Sequence, residues 1–381
     1  MSGRLGRLIY GLVAGVALVF GSFAVALIAL EVGLRIWDGK PFAPINFVDL
    51  EVNSIVNPNN VLARFDDRLG WAQVANRSWQ GIYTFGDEGI RMSTPQTGPL
   101  QQGAILLVGD SFGGGSEVND ADAWPARLEN MVGTRVLNAA VGGYGVDQTV
   151  LHAEDLVQRL KPRMLLVETN LAFGISLNRM SIYSGAPKPY FMPEDGKLTL
   201  MNEPVPRGVS HSIDIGWERS IFGYSYLVQY MMTRLNLLQW WISPALPTRF
   251  ALSNAQAVEV SCLLMRRLGE LRNSYKIPVA LVFQHGALDG LEATLSWEAD
   301  RASVTRCAEQ ERLPVVDIHQ ALHNVFQEGG AAAYQQLWVM HDDGRAYGHM
   351  SAKGNELVAS LVFRQFFSPA LSEANPQRSE Q

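Results

Sequence analysis

The sequence predicts an α/β domain built on a five-stranded parallel sheet with helices on both faces, carried behind one N-terminal transmembrane helix. Two observations predict it. Short apolar runs alternate with amphipathic helical stretches from about residue 104 onward, and one long uncharged run stands near the start.

The uncharged run comes first. No charged residue occurs from Leu8 to Leu30. At 1.5 Å per residue it is long enough to cross a hydrocarbon core of roughly 30 Å. Arg4 and Arg7 precede it and Glu31 follows. The positive-inside rule then leaves the stub in the cytoplasm and the remainder outside. A cleaved signal peptide is the competing reading, but its apolar region would be shorter and no clear A-x-A site follows. The expected location is a bacterial inner membrane, crossed once, with residues 1–37 as stub and anchor and the main domain in the periplasm or cell exterior.

Residues 38–100 are rich in Pro, Asn, Gly and Asp and read as an irregular lead-in. The alternation then begins. "AILLVGDS", "RVLNAAVGGYG", "MLLVETN", "PVALVFQH" and "LPVVDIH" read as strands. Helical segments stand between them, and "SAKGNELVASLVFRQFF" closes the series. Residues 101–370 form this domain, interrupted at about 176–255, and 371–381 read as a disordered tail. The interruption holds a turn-rich piece and the apolar, aromatic "FGYSYLVQYMMTRLNLLQWWI". Packing against the main domain is the favoured reading of that piece; a lid or a surface resting on the membrane is the alternative.

The composition narrows the function. The net charge is −6, and no basic stripe with interleaved aromatics appears, which argues against nucleic acid as a partner. The two cysteines, Cys262 and Cys307, lack zinc-site spacing. They read as buried thiols, with a single disulfide as the alternative in an oxidising compartment. His341, Asp342 and Asp343 have no second ligand set, so no metal is expected, and no cofactor.

Ligands of such sheets bind beyond the C-terminal strand ends. The glycines, Ser111, Asn170 and His285 all fall there. "GDSFGGGSE" lacks the lysine of a P-loop and the spacing of a dinucleotide fingerprint. A serine exposed by a tight turn at a strand end suits covalent catalysis, given a base and oxyanion donors. His285 reads as structural or substrate-facing, and Asp317 as a residue holding a strand-end loop.

Four spaced blocks supply the companions: "GDSF" at 109–112, "LNAAVGGYG" at 137–145, "VETN" at 167–170 and "GHMSAKGNELVA" at 348–359. In order and separation they resemble the SGNH (GDSL-type) hydrolases, from about residue 104 to 365. "FGDEGIR" and "PKPYF" resemble membrane-anchored bacterial members. The resemblance implies a flavodoxin-like three-layer α/β/α fold. It also implies a Ser111 nucleophile, a His349 base, and an oxyanion hole from the N–H groups of Ser111 and Gly143 and the Asn170 amide.

Two departures stand out. The third block, usually Gly-x-Asn-Asp, reads Glu168-Thr169-Asn170-Leu171. The acid expected two or three residues before the histidine is replaced by Ala346 and Tyr347. Asp343, or else Asp342, is the nearest acid available to support His349. The implied activity is hydrolysis or transfer of an O-acyl group, on a small-molecule or polysaccharide ester, with a lipid ester as second choice. A non-catalytic binding or scaffold protein on the same fold is the rival.

Overall fold

The computed structural model describes residues 2–48, 62–79, 82–93, 102–206, 216–235, 237–242, 248–289, 295–341, 344 and 346–368. Asp342, Asp343 and the tail expected at 371–381 lie outside these residues. The chain divides into two compact units, 1–56 with 209–247, and 57–208 with 248–381.

The larger unit holds the sheet. Its strands are β1 (Ile105–Val108), β2 (Val136–Asn138), β3 (Met164–Asn170), β4 (Val279–Gln284) and β5 (Val315–Asp317). All pairings are parallel, and the order across the sheet is β5-β4-β3-β1-β2. This is the three-layer, flavodoxin-like arrangement, whose direction of winding reverses between β1 and β3. The strand residues are apolar on both faces because both faces are covered. Leu106, Val108, Leu165, Val167 and Leu281 belong to one core cluster. Ile105, Leu107, Leu166, Ala280 and Val282 belong to the other. Alternate side chains of each strand therefore enter opposite layers.

Register sets the strand ends side by side. Val108 pairs with Val167, and Gln284 with Asn170. The loops after β1, β3 and β4 thus leave the sheet at adjacent points. The lead-in expected to be irregular contains two hairpins, Ala63–Asp66 with Gly70–Gln73 and Arg77–Trp79 with Tyr83–Phe85. Strands of three or four residues are too short to show a period of two. Arg91 bridges to Asn138 and so ties this segment to the sheet edge.

One feature of the larger unit corrects the sequence reading. Cys262 and Cys307 are half-buried and joined in a disulfide, where free buried thiols were favoured. The bond links helix Asn254–Tyr275 to helix Leu295–Gln310, and amphipathic helices give no advance sign of which faces meet. Part of the interruption, including the hairpin Tyr190–Glu194 with Lys197–Met201, stays with this unit. There the fully buried Lys188 of "PKPYF" is ion-paired with the fully buried Asp147 and also donates to the Pro189 carbonyl at 2.9 Å. Burial lowers the Lys188 ammonium, and the Asp147 charge opposes that.

The smaller unit consists of the helix Ser2–Trp37 and the short helices Gly216–Phe222, Tyr226–Arg234 and Leu238–Ile242. The stretch Val13–Trp37 is long and apolar enough to cross a membrane, and none of its most apolar window is buried.

Candidate active site

β1 ends at Val108, and Gly109-Asp110 turns the chain into the one-turn helix Ser111–Gly114. Asp110 caps that turn, its Oδ1 accepting the Phe112 N–H at 2.8 Å. Gly115, at φ 69°, closes it in the left-handed region that favours glycine. Ser111 is thereby held at the lip of the sheet, and its Oγ lies 2.9 Å from His349 Nε2. His349 lies on strand Ala346–Met350, directly ahead of helix Ala352–Phe366, which Ser351 caps. The Phe112 ring lies against the imidazole, with centroids 5.0 Å apart.

The carboxylate behind His349 is Glu117. Its Oε2 accepts the His349 backbone N–H at 2.6 Å and stands 3.2 Å from His349 Nδ1. The second contact is at ion-pair range without the alignment of a hydrogen bond, as apo sites often show. Oε1 meets His341 Nε2 at 2.8 Å. Partial burial works to raise the Glu117 carboxyl, but the His349 N–H and the two imidazoles outweigh it and hold it below the usual glutamate range. A side chain at Gly348 would collide with the Glu117 carboxylate and the His341 ring.

Arg91, from "FGDEGIR", fixes the loop that carries Glu117. Its buried guanidinium donates to the carbonyls of Gly114, Gly115 and Val118 at 2.6–2.7 Å and to Asp120 Oδ1 at 2.8 Å. The Tyr83 hydroxyl accepts the Glu117 N–H at 2.6 Å. Glu117 itself sits at φ 68°.

The proposed oxyanion donors come from the serine turn, the end of β3 and the loop after β2. Asn170 is the last residue of β3, and its N–H donates to Asp110 Oδ2 at 2.8 Å. Asp110 thus binds the serine turn and the Asn170 backbone with its two oxygens. The Asn170 Oδ1 accepts the Phe173 N–H at 3.5 Å, which directs the carbonyl end of the amide to the helix Leu171–Asn178. Gly143 has φ 80°, and a Cβ there would press on Tyr183 and Trp71 at 3.1 and 3.4 Å. Its neighbour Gly142 runs beside the serine: a Cβ on it would lie 3.7 Å from Ser111 Cβ. Trp71 Nε1 donates to the Gly142 carbonyl at 2.9 Å and so steadies this loop.

Glu168 lies beneath the nucleophile turn, fully buried. Its Oε2 accepts the Asp110 N–H at 3.1 Å, and Gln284 donates to Oε1 at 3.3 Å. Burial, with the Asp110 charge added, pushes Glu168 well above the glutamate range; burial also raises Asp110. Side chains at Gly109 or Gly113 would overlap the Glu168 carboxyl, which explains two glycines of "GDSFGGG".

The structure brings Ser111, His349, Asn170 and the Gly142-Gly143 loop together and adds Glu117, Arg91, Asp110 and Glu168, which the sequence reading did not assign. An acid inside an otherwise apolar strand was the available signal for Glu168. Asp342 and Asp343 lie outside the described residues. His285 and Asp317 serve elsewhere: His285 is fully buried with Nε2 2.7 Å from Asp317 Oδ1, and Arg301 donates to Oδ2 at 2.9 Å. A cavity of about 120 Å³ opens beside Ser111, lined in part by Gln73, Tyr83, Phe85, Ala140 and Gly142.

No family model and no curated protein matches the chain. Solved structures similar to it include a protein assigned to the G-D-S-L lipolytic family from Desulfitobacterium hafniense. That protein is 13% identical, with 70% of this chain and 100% of its own length covered and a TM-score of 0.37. The acetyl xylan esterase AlAXEase is 10% identical over 69% of this chain and 100% of its own, with a TM-score of 0.40. The acetylxylan esterase Axe2 of Geobacillus stearothermophilus is 14% identical over 71% and 97%, with a TM-score of 0.38.

Proposed function

We propose that the chain is a membrane-anchored serine ester hydrolase acting outside the cytoplasm on a small O-acyl group carried by a carbohydrate. The observation that carries the catalytic reading is the 2.9 Å approach of Ser111 Oγ to His349 Nε2, with Glu117 against the other side of the imidazole. Ser111 Oγ attacks the acyl carbonyl carbon while His349 Nε2 takes the hydroxyl proton. The oxyanion formed is held by the N–H groups of Ser111 and Gly143 and by the Asn170 amide. Collapse breaks the ester C–O bond, and the departing alcohol receives the proton from His349. Water, or an acceptor alcohol in a transfer reaction, then attacks the acyl-serine by the same proton route and regenerates the hydroxyl. Glu117 holds the imidazole in the tautomer with its proton on Nδ1 and stabilises the imidazolium.

The cavity beside Ser111, at about 120 Å³, suits an acyl group of a few heavy atoms rather than a fatty chain. This favours a carbohydrate O-acyl ester over a lipid ester. The disulfide is consistent with an oxidising compartment. The helix Ser2–Trp37 continues without a break past the apolar run, and Arg35 donates to the Tyr224 carbonyl at 2.7 Å.

The test is hydrolysis of 4-nitrophenyl acetate and octanoate by the wild type, Ser111→Ala and His349→Ala. The acetate should be the better substrate, and both variants should lose at least a thousandfold in kcat/KM. Equal rates in all three proteins would overturn the catalytic reading. A periplasmic reporter fused after residue 60 that stayed inactive would overturn the topology.

A further inference from the structure

We infer that the smaller unit is a collar that lies in the lipid–water interface around the outer end of the membrane helix. The inference rests on the reading that Ser2–Trp37 crosses a bilayer.

The collar is joined to that helix at a defined depth. Glu31 is the first charged residue after the run that ends at Leu30. Its carboxylate accepts the Tyr226 N–H at 2.8 Å and the Leu227 N–H at 2.7 Å, and the Ser225 hydroxyl at 2.9 Å. Glu31 thereby adds a second cap to the helix Tyr226–Arg234, beside the local cap Ser225, whose hydroxyl accepts the Val228 N–H at 3.3 Å. Arg35 donates to the carbonyls of Pro41 and Tyr224, and Tyr226 donates through its hydroxyl to Asp38 at 2.7 Å. Helix Tyr226–Arg234 therefore starts at the level where the hydrocarbon core ends.

The collar's surface has the chemistry of that level. Outside the membrane helix, large apolar side chains exposed on it include Phe42, Trp217, Ile221, Phe222, Leu235 and Trp240. Trp217 and Trp240 are 68% and 63% exposed, values that water alone would oppose. Trp217 and Ile221 are four apart on helix Gly216–Phe222 and share one face. Aromatic residues with nearby cations are the side chains that membrane interfaces favour. Lys40 stands over the Tyr226 ring at 5.6 Å and Arg234 over the Tyr230 ring at 5.1 Å. Both cations line a cavity of about 740 Å³ within this unit, a place for the phosphates of lipid headgroups.

The experiment uses the full chain in phospholipid vesicles. The native cysteines are paired, so a single introduced cysteine can be labelled with a polarity-sensitive fluorophore. Labels go on Val25→Cys in the membrane helix, Trp217→Cys and Trp240→Cys on the collar, and Met131→Cys on the larger unit. The quencher is a nitroxide attached to the lipid. Quenching at 217 and 240 of at least half that at 25, with little at 131, is expected. Quenching at 25 without quenching at 217 and 240 overturns the collar and leaves the anchor standing. A blue-shifted but unquenched label at 217 or 240 means protein covers it, and also overturns the inference. A label at 25 that is not quenched overturns the anchor reading itself. Esterase activity equal to wild type in each variant controls for misfolding.

Discussion

Glu117 meets His349 twice, through the backbone N–H at 2.6 Å and across from Nδ1 at 3.2 Å. One carboxylate oxygen thus holds the residue's main chain and stands at ion-pair range of its ring. Glu117→Gln should keep the fold and lower kcat by about 10²–10⁴, the range that follows when the orienting acid of a serine triad is made neutral. Asp342→Asn and Asp343→Asn should leave kcat within about threefold on the same argument. Steady-state kinetics on an aryl acetate checks all three, and full activity in Glu117→Gln would remove Glu117 from the mechanism.

Arg91 acts through the loop rather than on the substrate. Its guanidinium donates to four carbonyls and Asp120 in a buried setting. Arg91→Lys cannot reproduce that fork of donors. The expected result is a lower kcat with a smaller change in KM, together with lost stability of about 2–4 kcal/mol. Chemical denaturation and kinetics on the same preparation separate the two effects.

Gly113 and Glu168 compete for one volume. Gly113→Ala should destabilise by about 1–3 kcal/mol, because neither the turn nor the strand yields easily. Adding Glu168→Ala frees the space but strips a partner from the Asp110 N–H. The double variant should therefore lose less than the sum of the two single losses. A double-mutant cycle measures this, and strict additivity would contradict the shared volume.

Asp317 gives the pH dependence a sign. Burial alone would raise it, but the hydrogen bond and charge of His285, the His319 N–H and Arg301 pull it down to about 2. A carboxyl lowered in the folded state adds stability above its ordinary pKa, and this is lost as pH falls through the folded value. Its share is about 2 kcal/mol, present near pH 5 and mostly gone near pH 2. Asp317→Asn should flatten that part of the acid-unfolding curve, measured as urea midpoints across the series.

The sheet was legible because buried parallel strands write themselves as apolar runs, and five such runs became β1 to β5. Their order across the sheet was not legible, since every run looks alike from both sides. Ser111 and His349 stood in blocks whose spacing points to them. Glu117 did not: it lies 232 residues from the histidine it supports, in a loop with a left-handed residue, while Asp342 and Asp343 were near in sequence. The collar was hidden for the same reason, as Glu31 finds its partners 194–196 residues away. The aromatic stretch groups with the N-terminal helix in one compact unit.

Glu117 follows Ser111 by six positions in one short loop, whereas the histidine arrives from 238 residues downstream. The proposed nucleophile and acid thus lie within one βα crossover, and only the proposed base is brought from far along the chain. Loss of the chain from strand Ala346–Met350 onward would therefore remove the proposed base and spare the other two members of the trio.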